Sequence, residues 1–231
     1  MSTSGDAERG QVNDVAAQIY EDFFVPALFG QWPAVVLDVA GVSGGDHVLD
    51  VGCGTGVLAR AAADRVGPAG AVEAVDVNEG MLAVARRGAA AVEWHVASAE
   101  KLPFESQTFE RVVSQFALMF FADRATAVAE MVRVGRPGGT VTVATWARVE
   151  DSPGYAAMVE LLDREIGRHA AEALLAPFTI GTEEQLARSM AGSFGDIEAG
   201  RHAGTARFES LAAWLHTDSR GWTAAHSVTD E

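Results

Sequence analysis

The sequence lacks the residues on which several classes of protein depend. Cys53 is its only cysteine, so an intramolecular disulfide framework and a multi-cysteine metal site are excluded. Lys101 is its only lysine, and 17 basic residues stand against 32 acidic ones, which gives a net charge of −15. Nucleic acids and anionic membranes bind basic surfaces, because such surfaces displace counterions. We therefore expect neither as a partner.

Long apolar runs are also missing. No run approaches the roughly 18 apolar residues of a membrane-spanning helix. The first residues, Met1 to Asp6, have neither the basic start nor the apolar core of a signal peptide. With only one cysteine in addition, we expect a soluble protein in the reducing cytoplasm.

What is present is typical of a folded α/β protein. The 231 residues are 48% hydrophobic and 21% charged, as in chains that bury a core. Short apolar runs alternate with segments of helical periodicity, which predicts a doubly wound, mostly parallel sheet with helices on both faces. The five predicted strands are His47–Val51, Ala71–Val75, Val92–Val96, Phe109–Ser114 and Thr140–Thr145.

The segments outside this alternation predict the domain organisation. Residues 1–43 form an N-terminal helical cap, residues 44–147 a Rossmann-like core, and residues 148–231 a C-terminal helical lid with edge strands. All three are expected to belong to one domain. Within the last part, the pattern of Ile197 to Phe208 predicts one strand or a short hairpin.

The segment Asp50 to Gly56 carries the strongest functional signal. Its Gly-x-Gly-x-Gly spacing lies where the first strand gives way to a helix, so backbone N–H groups there can face a ligand. Glycines allow that ligand to approach the main chain, because they have no Cβ. The dinucleotide fingerprint needs its third glycine one place later, at Val57. A tight strand-to-helix turn without a ligand remains the alternative.

Polar residues follow the other strands at the same edge of the predicted sheet. Asp76 ends the second strand, where a carboxylate can accept both ribose hydroxyls of an adenosine and would repel a 2′-phosphate. Ser98 follows the third strand and Gln115 ends the fourth. Ligands of open α/β sheets bind at this carboxyl edge, so we expect these side chains to lie around one site.

Four segments carry a resemblance to a known family: Asp50–Gly56, Asp76–Leu82, Ser98–Phe104 and Glu130–Gly139. In this order they resemble class I S-adenosylmethionine-dependent methyltransferases. The likeness is to the small-molecule enzymes related to ubiquinone/menaquinone methyltransferases (methyltransferase type 11-like), and it covers Gln18 to Trp146. It implies S-adenosylmethionine as cofactor and S-adenosylhomocysteine as product.

The resemblance also implies roles for individual residues. Asp50 would steer the methionine ammonium, Asp76 would hold the ribose hydroxyls, and Gln115 would line the pocket near the methyl group. Val77 and Met81 would pack on the adenine, and Ser98 and Ala99 would contact its edge. Tyr20, on the first predicted helix, would close over the cofactor. Many relatives carry Asp where this chain has Ser98, which can still accept from the adenine amino group. The predicted cofactor-binding residues are Tyr20, Asp50, Gly52, Cys53, Gly54, Gly56, Asp76, Val77, Met81, Ser98, Ala99 and Gln115.

Methyl transfer from a sulfonium needs positioning more than it needs a catalytic side chain. We therefore predict no obligatory catalytic residue, and none of the six histidines is identified as a base. No His/Cys/carboxylate group shows metal-ligand spacing, so no metal is expected. The apolar run from Phe116 to Phe121, with Phe23, Phe24 and Trp146, favours an acceptor with an apolar or aromatic part. The oligomeric state stays open.

Two other functions remain as alternatives. One is a non-catalytic S-adenosylmethionine-binding or regulatory protein, and the other is a dinucleotide-dependent oxidoreductase. The family sheet ends with an antiparallel strand beside the fifth. Either Thr205 to Phe208 supplies that strand here, or the chain stops before it.

Overall fold

A computed structural model describes residues 14–88, 91–190 and 196–221. The polar tail from Ala225 onwards lies outside these residues, as does the last histidine, His226. Among the described helices no single one is long and apolar enough to cross a membrane. The helical segments Ala16–Phe29 and Pro33–Ala40, which meet at a bend of 66°, are long and apolar enough only when taken together, and by length and composition alone.

The centre of the fold is a parallel sheet of five strands. Their order is β3-β2-β1-β4-β5, so the first strand lies in the middle. Each described pairing is parallel, as the alternation of strands and helices predicts. The strands are β1 (His47–Val51), β2 (Ala71–Asp76), β3 (Glu93–Val96), β4 (Phe109–Gln115) and β5 (Gly135–Ala144).

Helices cover both faces of the sheet and both ends of the described chain. A π-helical segment, Tyr20–Phe29, continues directly from the first helix. The α-helices are α1 (Asp14–Ile19), α2 (Pro33–Ala40), α3 (Val57–Val66), α4 (Glu79–Gly88), α5 (Arg124–Val134), α6 (Pro153–Glu165), α7 (Arg168–Leu175), α8 (Glu183–Met190) and α9 (Leu211–Gly221).

Local chemistry fixes several of these boundaries. The α5 helix begins after Asp123, whose carboxylate accepts from the backbone N–H of Thr126 at 3.1 Å. The α8 helix begins with a reciprocal capping box, because the Thr182 hydroxyl accepts from the backbone N–H of Gln185 and the Gln185 amide oxygen accepts from that of Thr182. This capping box fixes the start of a helix within the predicted C-terminal helical lid.

The core has three main parts. One lies between the sheet and helices α2, α3 and α4, and a second lies between the sheet and α5. The third is rich in aromatic residues and joins the N-terminal segment to helices α6 and α7, with Phe24, Phe29 and Tyr155 among its buried members. This aromatic cluster packs both ends of the described chain onto one side of the sheet.

The predicted strand or hairpin within Ile197 to Phe208 was wrong. Residues 196–209 contain no strand, and the described residues place no sixth strand beside β5. The segment instead attaches to the N-terminal region, where the backbone N–H of Arg207 donates to Ala27 C=O at 3.0 Å. The side-chain amide of Gln31 also donates to Thr205 C=O and accepts from the Thr205 N–H. Its glycines, alanines and charged residues give it no alternating apolar face to bury against a sheet. Of the two alternatives for the final strand, Thr205 to Phe208 does not supply it.

Candidate cofactor-binding site

The glycine loop leaves β1 at the carboxyl edge of the sheet. The backbone N–H groups of Gly52 and Cys53 both donate to Val75 C=O, at 2.9 and 3.0 Å, which anchors the loop to β2. Gly52, Gly54 and Gly56 all have positive φ angles, the region that glycine adopts most readily. The loop therefore turns sharply before α3 begins at Val57.

The three glycines have different surroundings. A Cβ on Gly52 would lie 2.5 Å from Ala117 Cβ, and one on Gly56 would lie 2.4 Å from the Trp94 ring. A Cβ on Gly54 would meet no described atom within 4 Å. Packing thus requires two of the glycines, whereas Gly54 faces open space beside the loop.

Asp76 ends β2 and holds this loop. Its carboxylate accepts from the backbone N–H of Gly54 and from that of Asn78, each at 2.8 Å. Burial raises the pKa of the carboxyl, and the bonds from Asn78 and Gly54 oppose that rise. A carboxylate offers about four lone-pair directions, so each oxygen can still accept one bond from a ligand hydroxyl.

Asp50 lies inside the central strand and is fully buried. Neither of its carboxylate oxygens has a hydrogen-bond partner among the described residues. Burial, followed by the negative charge of Asp76, raises the pKa of Asp50 to about 8, while the nearby backbone N–H of Ala59, which does not reach hydrogen-bonding geometry, opposes the rise. A buried carboxylate without partners is costly, and a cationic ligand group would relieve that cost.

The neighbouring surface is apolar and partly open. Val77 is 48% exposed, Met81 is half-buried, and Ala99 is buried. Val96, at the end of β3, is 55% exposed and was not among the predicted site residues. Its position at the carboxyl end of the third predicted strand is the feature that could have indicated it. A flat ring could cover these side chains.

Ser98 has a partner that the sequence analysis did not identify. Its hydroxyl donates to the Glu100 carboxylate, and Glu100 also accepts from the backbone N–H of Asp123 at 3.2 Å. The Ser98 oxygen also accepts from the backbone N–H of Glu100 at 3.2 Å, so one of its lone pairs is left for a ligand. This arrangement suits an amino donor better than an acceptor.

The N-terminal segment lies against the glycine loop and α4. Tyr20 stacks on Phe29 at a ring-centroid distance of 5.0 Å. Burial, followed by the charges of Asp76 and Glu21, raises the pKa of Tyr20 far above its usual range. Glu21 pairs with Arg60 of α3 at 2.7 Å, and Gln18 accepts from Arg87 of α4 at 2.7 Å.

Gln115 ends β4 on the other side of the loop. Its amide nitrogen donates a long bond of 3.5 Å to Phe29 C=O, while its amide oxygen is buried with no partner in the described structure. The next residue, Phe116, has a φ of +56° and stacks on Trp146 at 4.2 Å. Of the predicted apolar run, Leu118 and Met119 are buried in the core and Phe120 is exposed.

The only cysteine of the sequence lies in the glycine loop, and two histidines lie on strands β1 and β3. Burial raises the pKa of the Cys53 thiol well above its usual value, which suppresses its reactivity. His47 and His95 flank Glu73 at 3.1 and 2.8 Å on a sheet face away from the loop. The strands also bring Glu93 close to Glu73 and His95, a grouping that the linear spacing did not reveal.

Known proteins with similar sequences share the part of the chain that builds this site. The methyltransferase domain family matches residues 48–139. The ubiquinone/menaquinone biosynthesis C-methyltransferase UbiE of Bordetella parapertussis is 42% identical over 143 residues, which are 59% of this chain and 55% of that protein. The protein of the same name from Bordetella avium is 41% identical over 151 residues, 62% of this chain and 59% of that protein. The chain thus matches little more than half the length of these relatives.

Solved structures show the same fold. A SAM dependent methyltransferase from Aquifex aeolicus superposes with a TM-score of 0.52 at 26% identity, over 59% of this chain and 74% of that one. An N-methyltransferase of Haemonchus contortus, in complex with S-adenosylhomocysteine, has a TM-score of 0.58 at 22% identity, over 84% of this chain and 44% of that one. The second likeness, at lower identity, concerns the fold alone.

Proposed function

We infer that residues 48–139 of this chain, which match the methyltransferase domain family, form a domain of the class I, S-adenosylmethionine-dependent type, related to the UbiE C-methyltransferases. On this premise we propose that the chain binds S-adenosylmethionine at the glycine loop and transfers its methyl group to a small-molecule acceptor. When bound, S-adenosylmethionine would supply a methyl group on a sulfonium, which is already a good electrophile. The chain itself then has to bind, orient and exclude water.

One observation carries this proposal above the others. Asp50 is buried near the end of β1, and the half-buried Asp76 at the end of β2 holds the one loop glycine whose Cβ direction is open. Asp50 has no partner among the described residues and would accept the methionine ammonium. Asp76 retains free lone pairs and would accept the ribose hydroxyls. Ammonium and ribose are thus matched by carboxylates on two neighbouring strands.

The remaining predicted contacts fit the same orientation. Val77 and Met81, with Val96 in addition, would pack on the adenine. Ser98, its proton held by Glu100, would accept from the adenine amino group. Tyr20 and the N-terminal segment would close over the cofactor, because that segment already forms polar contacts with α3 and α4. Gln115 would lie near the methyl group, at the end of β4.

The acceptor is proposed to be an aromatic, quinone-like small molecule. The named relatives act in ubiquinone/menaquinone biosynthesis, and aromatic side chains surround the end of β4 in this chain. No side chain is assigned as a general base, and one is needed only where the acceptor is protonated at neutral pH, as a phenol or a carbon acid is. The single buried cysteine is compatible with a reducing, cytoplasmic setting.

Methyl transfer can be measured directly. The full chain is incubated with methyl-tritiated S-adenosylmethionine and a panel of naphthols and hydroquinones, and label in the extracted acceptor is counted. We expect transfer to at least one acceptor and none with Asp76→Ala. Binding of S-adenosylhomocysteine without transfer to any acceptor would favour the non-catalytic alternative.

A further inference from the structure

The two outer strands β2 and β3 carry a group of metal-ligating side chains on one face of the sheet. Glu73 lies on β2, Glu93 and His95 lie on the edge strand β3, and one nitrogen or oxygen atom from each lies within 4.8 Å of the others. The strand register accounts for this grouping, because Glu73 pairs with Glu93 and Val75 pairs with His95. Alternate residues of a strand share a face, so all three side chains point to one side of the sheet.

The two carboxylates of this group have no arginine or lysine to neutralise them. Glu73 and Glu93 lie directly opposite each other on neighbouring strands, where like charges destabilise a sheet. Within the described part of the chain Glu73 pairs with histidines alone, and Glu93 forms no ion pair. The net charge of −15 adds to their repulsion. A bound cation would neutralise this local concentration of negative charge.

Histidines face both oxygens of the Glu73 carboxylate. His47 Nε2, from β1, donates to Oε1 at 3.1 Å, whereas His95 Nε2 lies 2.8 Å from Oε2 and forms no hydrogen bond with any described residue. These last two atoms are thus placed as two ligands of one ion are, close together but not joined by a hydrogen bond. Two ligands of a tetrahedral zinc ion lie roughly 3.3 Å apart, given metal–ligand bonds of about 2.0–2.1 Å.

Aromatic rings hold the two imidazoles in position. Phe104 packs edge-on against His95 at a ring-centroid distance of 5.2 Å, and Phe109 lies against His47 at 4.5 Å. Metal sites are commonly surrounded in this way by an apolar shell that fixes the orientation of their ligands. Glu93 is exposed, so an ion can enter from its side of the group.

We propose that Glu73, Glu93 and His95 bind one zinc ion, with water as the fourth ligand, and that His47 orients the Glu73 carboxylate. One imidazole and two carboxylates are a donor set that zinc accepts, and the two negative charges balance the charge of the ion. The ion stabilises the fold by tying the edge strand β3 to β2. None of these residues belongs to the proposed cofactor-binding site, so the ion has no part in methyl transfer.

Zinc binding to the full chain tests the proposal. The protein is stripped of metal with a chelator, the chelator is removed, and zinc chloride is titrated in competition with a chromophoric indicator. We expect one zinc ion per chain, and binding at least about tenfold weaker in both His95→Gln and Glu93→Gln. His169→Gln, at an exposed position of α7, is the matched control and should bind as the wild type does. No zinc binding, or equal binding by all four proteins, would overturn the proposal.

Thermal unfolding tests whether the ion stabilises the fold. A ligand that binds only the folded state raises the melting temperature, so zinc should raise that of the wild type and of His169→Gln. It should have little effect on Glu93→Gln, whose changed side chain is exposed and is not needed for folding. Circular dichroism shows whether each variant is folded before zinc is added. A rise of the same size in Glu93→Gln as in the wild type would place the zinc elsewhere and overturn the proposal.

Competition with magnesium distinguishes this site from a pair of surface carboxylates. Magnesium prefers oxygen ligands, whereas an imidazole nitrogen favours zinc. We therefore expect an excess of magnesium chloride to leave zinc bound to the wild type. Displacement of zinc by magnesium would show that His95 is not a ligand and would overturn the site as proposed.

Discussion

At the scale of single residues, the site depends on two carboxylates with different tasks. Asp76 already accepts two backbone N–H bonds and shapes the loop. Asp50 accepts none within the described chain and is the more expensive of the two to bury as an anion. Because a buried carboxylate of this kind lowers the stability of the fold, its presence indicates a functional role, and binding of a cationic ligand group is such a role.

Asp50→Asn should stabilise the ligand-free protein at high pH. The pKa of Asp50 is about 8 in the folded state, against 3.8 for an unperturbed group. Between these values the folded state keeps a proton that the unfolded state releases, so stability falls as the pH rises from about 4 to about 8. The variant removes that fall, and we expect it to be more stable by a few kcal/mol at pH 8.

Thermal unfolding at pH 5 and pH 8 measures this effect. The advantage of Asp50→Asn should be large at pH 8 and small at pH 5, and Asp163→Asn, at an exposed position of α6, should show no such trend. Equal melting temperatures for Asp50→Asn and the wild type at pH 8 would mean that Asp50 is not a buried, partnerless acid.

Gly54→Ala and Gly56→Ala should separate binding from folding. Gly56→Ala forces a Cβ against Trp94 at a positive φ, and we expect a loss of about 2–4 kcal/mol of stability. Gly54→Ala meets no described atom, so its cost should be about 1–2 kcal/mol, from the φ angle alone.

The affinity of the glycine variants for S-adenosylhomocysteine measures the effect on binding, as opposed to the effect on folding. The Gly54→Ala methyl group points into the space assigned to the cofactor, so its affinity should fall more than about tenfold, worth 1.4 kcal/mol. Chemical denaturation and calorimetry on the same preparations give both quantities. A Gly54→Ala protein that binds normally would show that the open space beside the loop is not the cofactor's.

At the scale of elements, we expect the N-terminal segment to limit the entry and release of a ligand. Its polar contacts include the ion pair of Glu21 with Arg60 of α3, which is partly buried. Glu21→Gln should therefore speed dissociation of S-adenosylhomocysteine about three- to tenfold, since the bond is worth about 1 kcal/mol.

Stopped-flow displacement of the bound ligand measures that rate. Glu172→Gln removes an exposed pair with Arg168 on α7 and serves as the matched control, with no change expected. An unchanged rate in Glu21→Gln would show that the segment does not limit release.

The elements also show where sequence reasoning succeeded. The predicted helix after the glycine loop is found as Val57–Val66, and Gly56 and the Gly67-Pro68 pair mark its ends. The segment 197–208 was mispredicted, since its place is set by tertiary bonds to Ala27 and Gln31 that no local pattern encodes. The same limit applies to Glu100 and Val96, because the local sequence does not show which residues from other elements lie next to them.

At the scale of the whole molecule, residues far apart in sequence meet because parallel strands end at one edge. That rule predicts that Asp50, Asp76, Ser98 and Gln115 surround one site, because the strands that carry or precede them are neighbours in the sheet. It does not predict how the chain packs at the outer edge of β5, where the described residues place no further strand. The fold therefore follows from the sequence pattern, and the structure at that edge follows from tertiary packing.

The central claim is that the glycine loop binds S-adenosylmethionine, and calorimetric titration with S-adenosylhomocysteine tests it most directly. The account predicts a dissociation constant in the micromolar range, about −8 kcal/mol, for the wild type and for the exposed control Asp163→Ala. Asp76→Ala, checked by circular dichroism to be folded, should bind at least about 30-fold more weakly, because it loses two charge-assisted acceptors. No binding by a folded wild type, or equal binding by Asp76→Ala, would contradict the account.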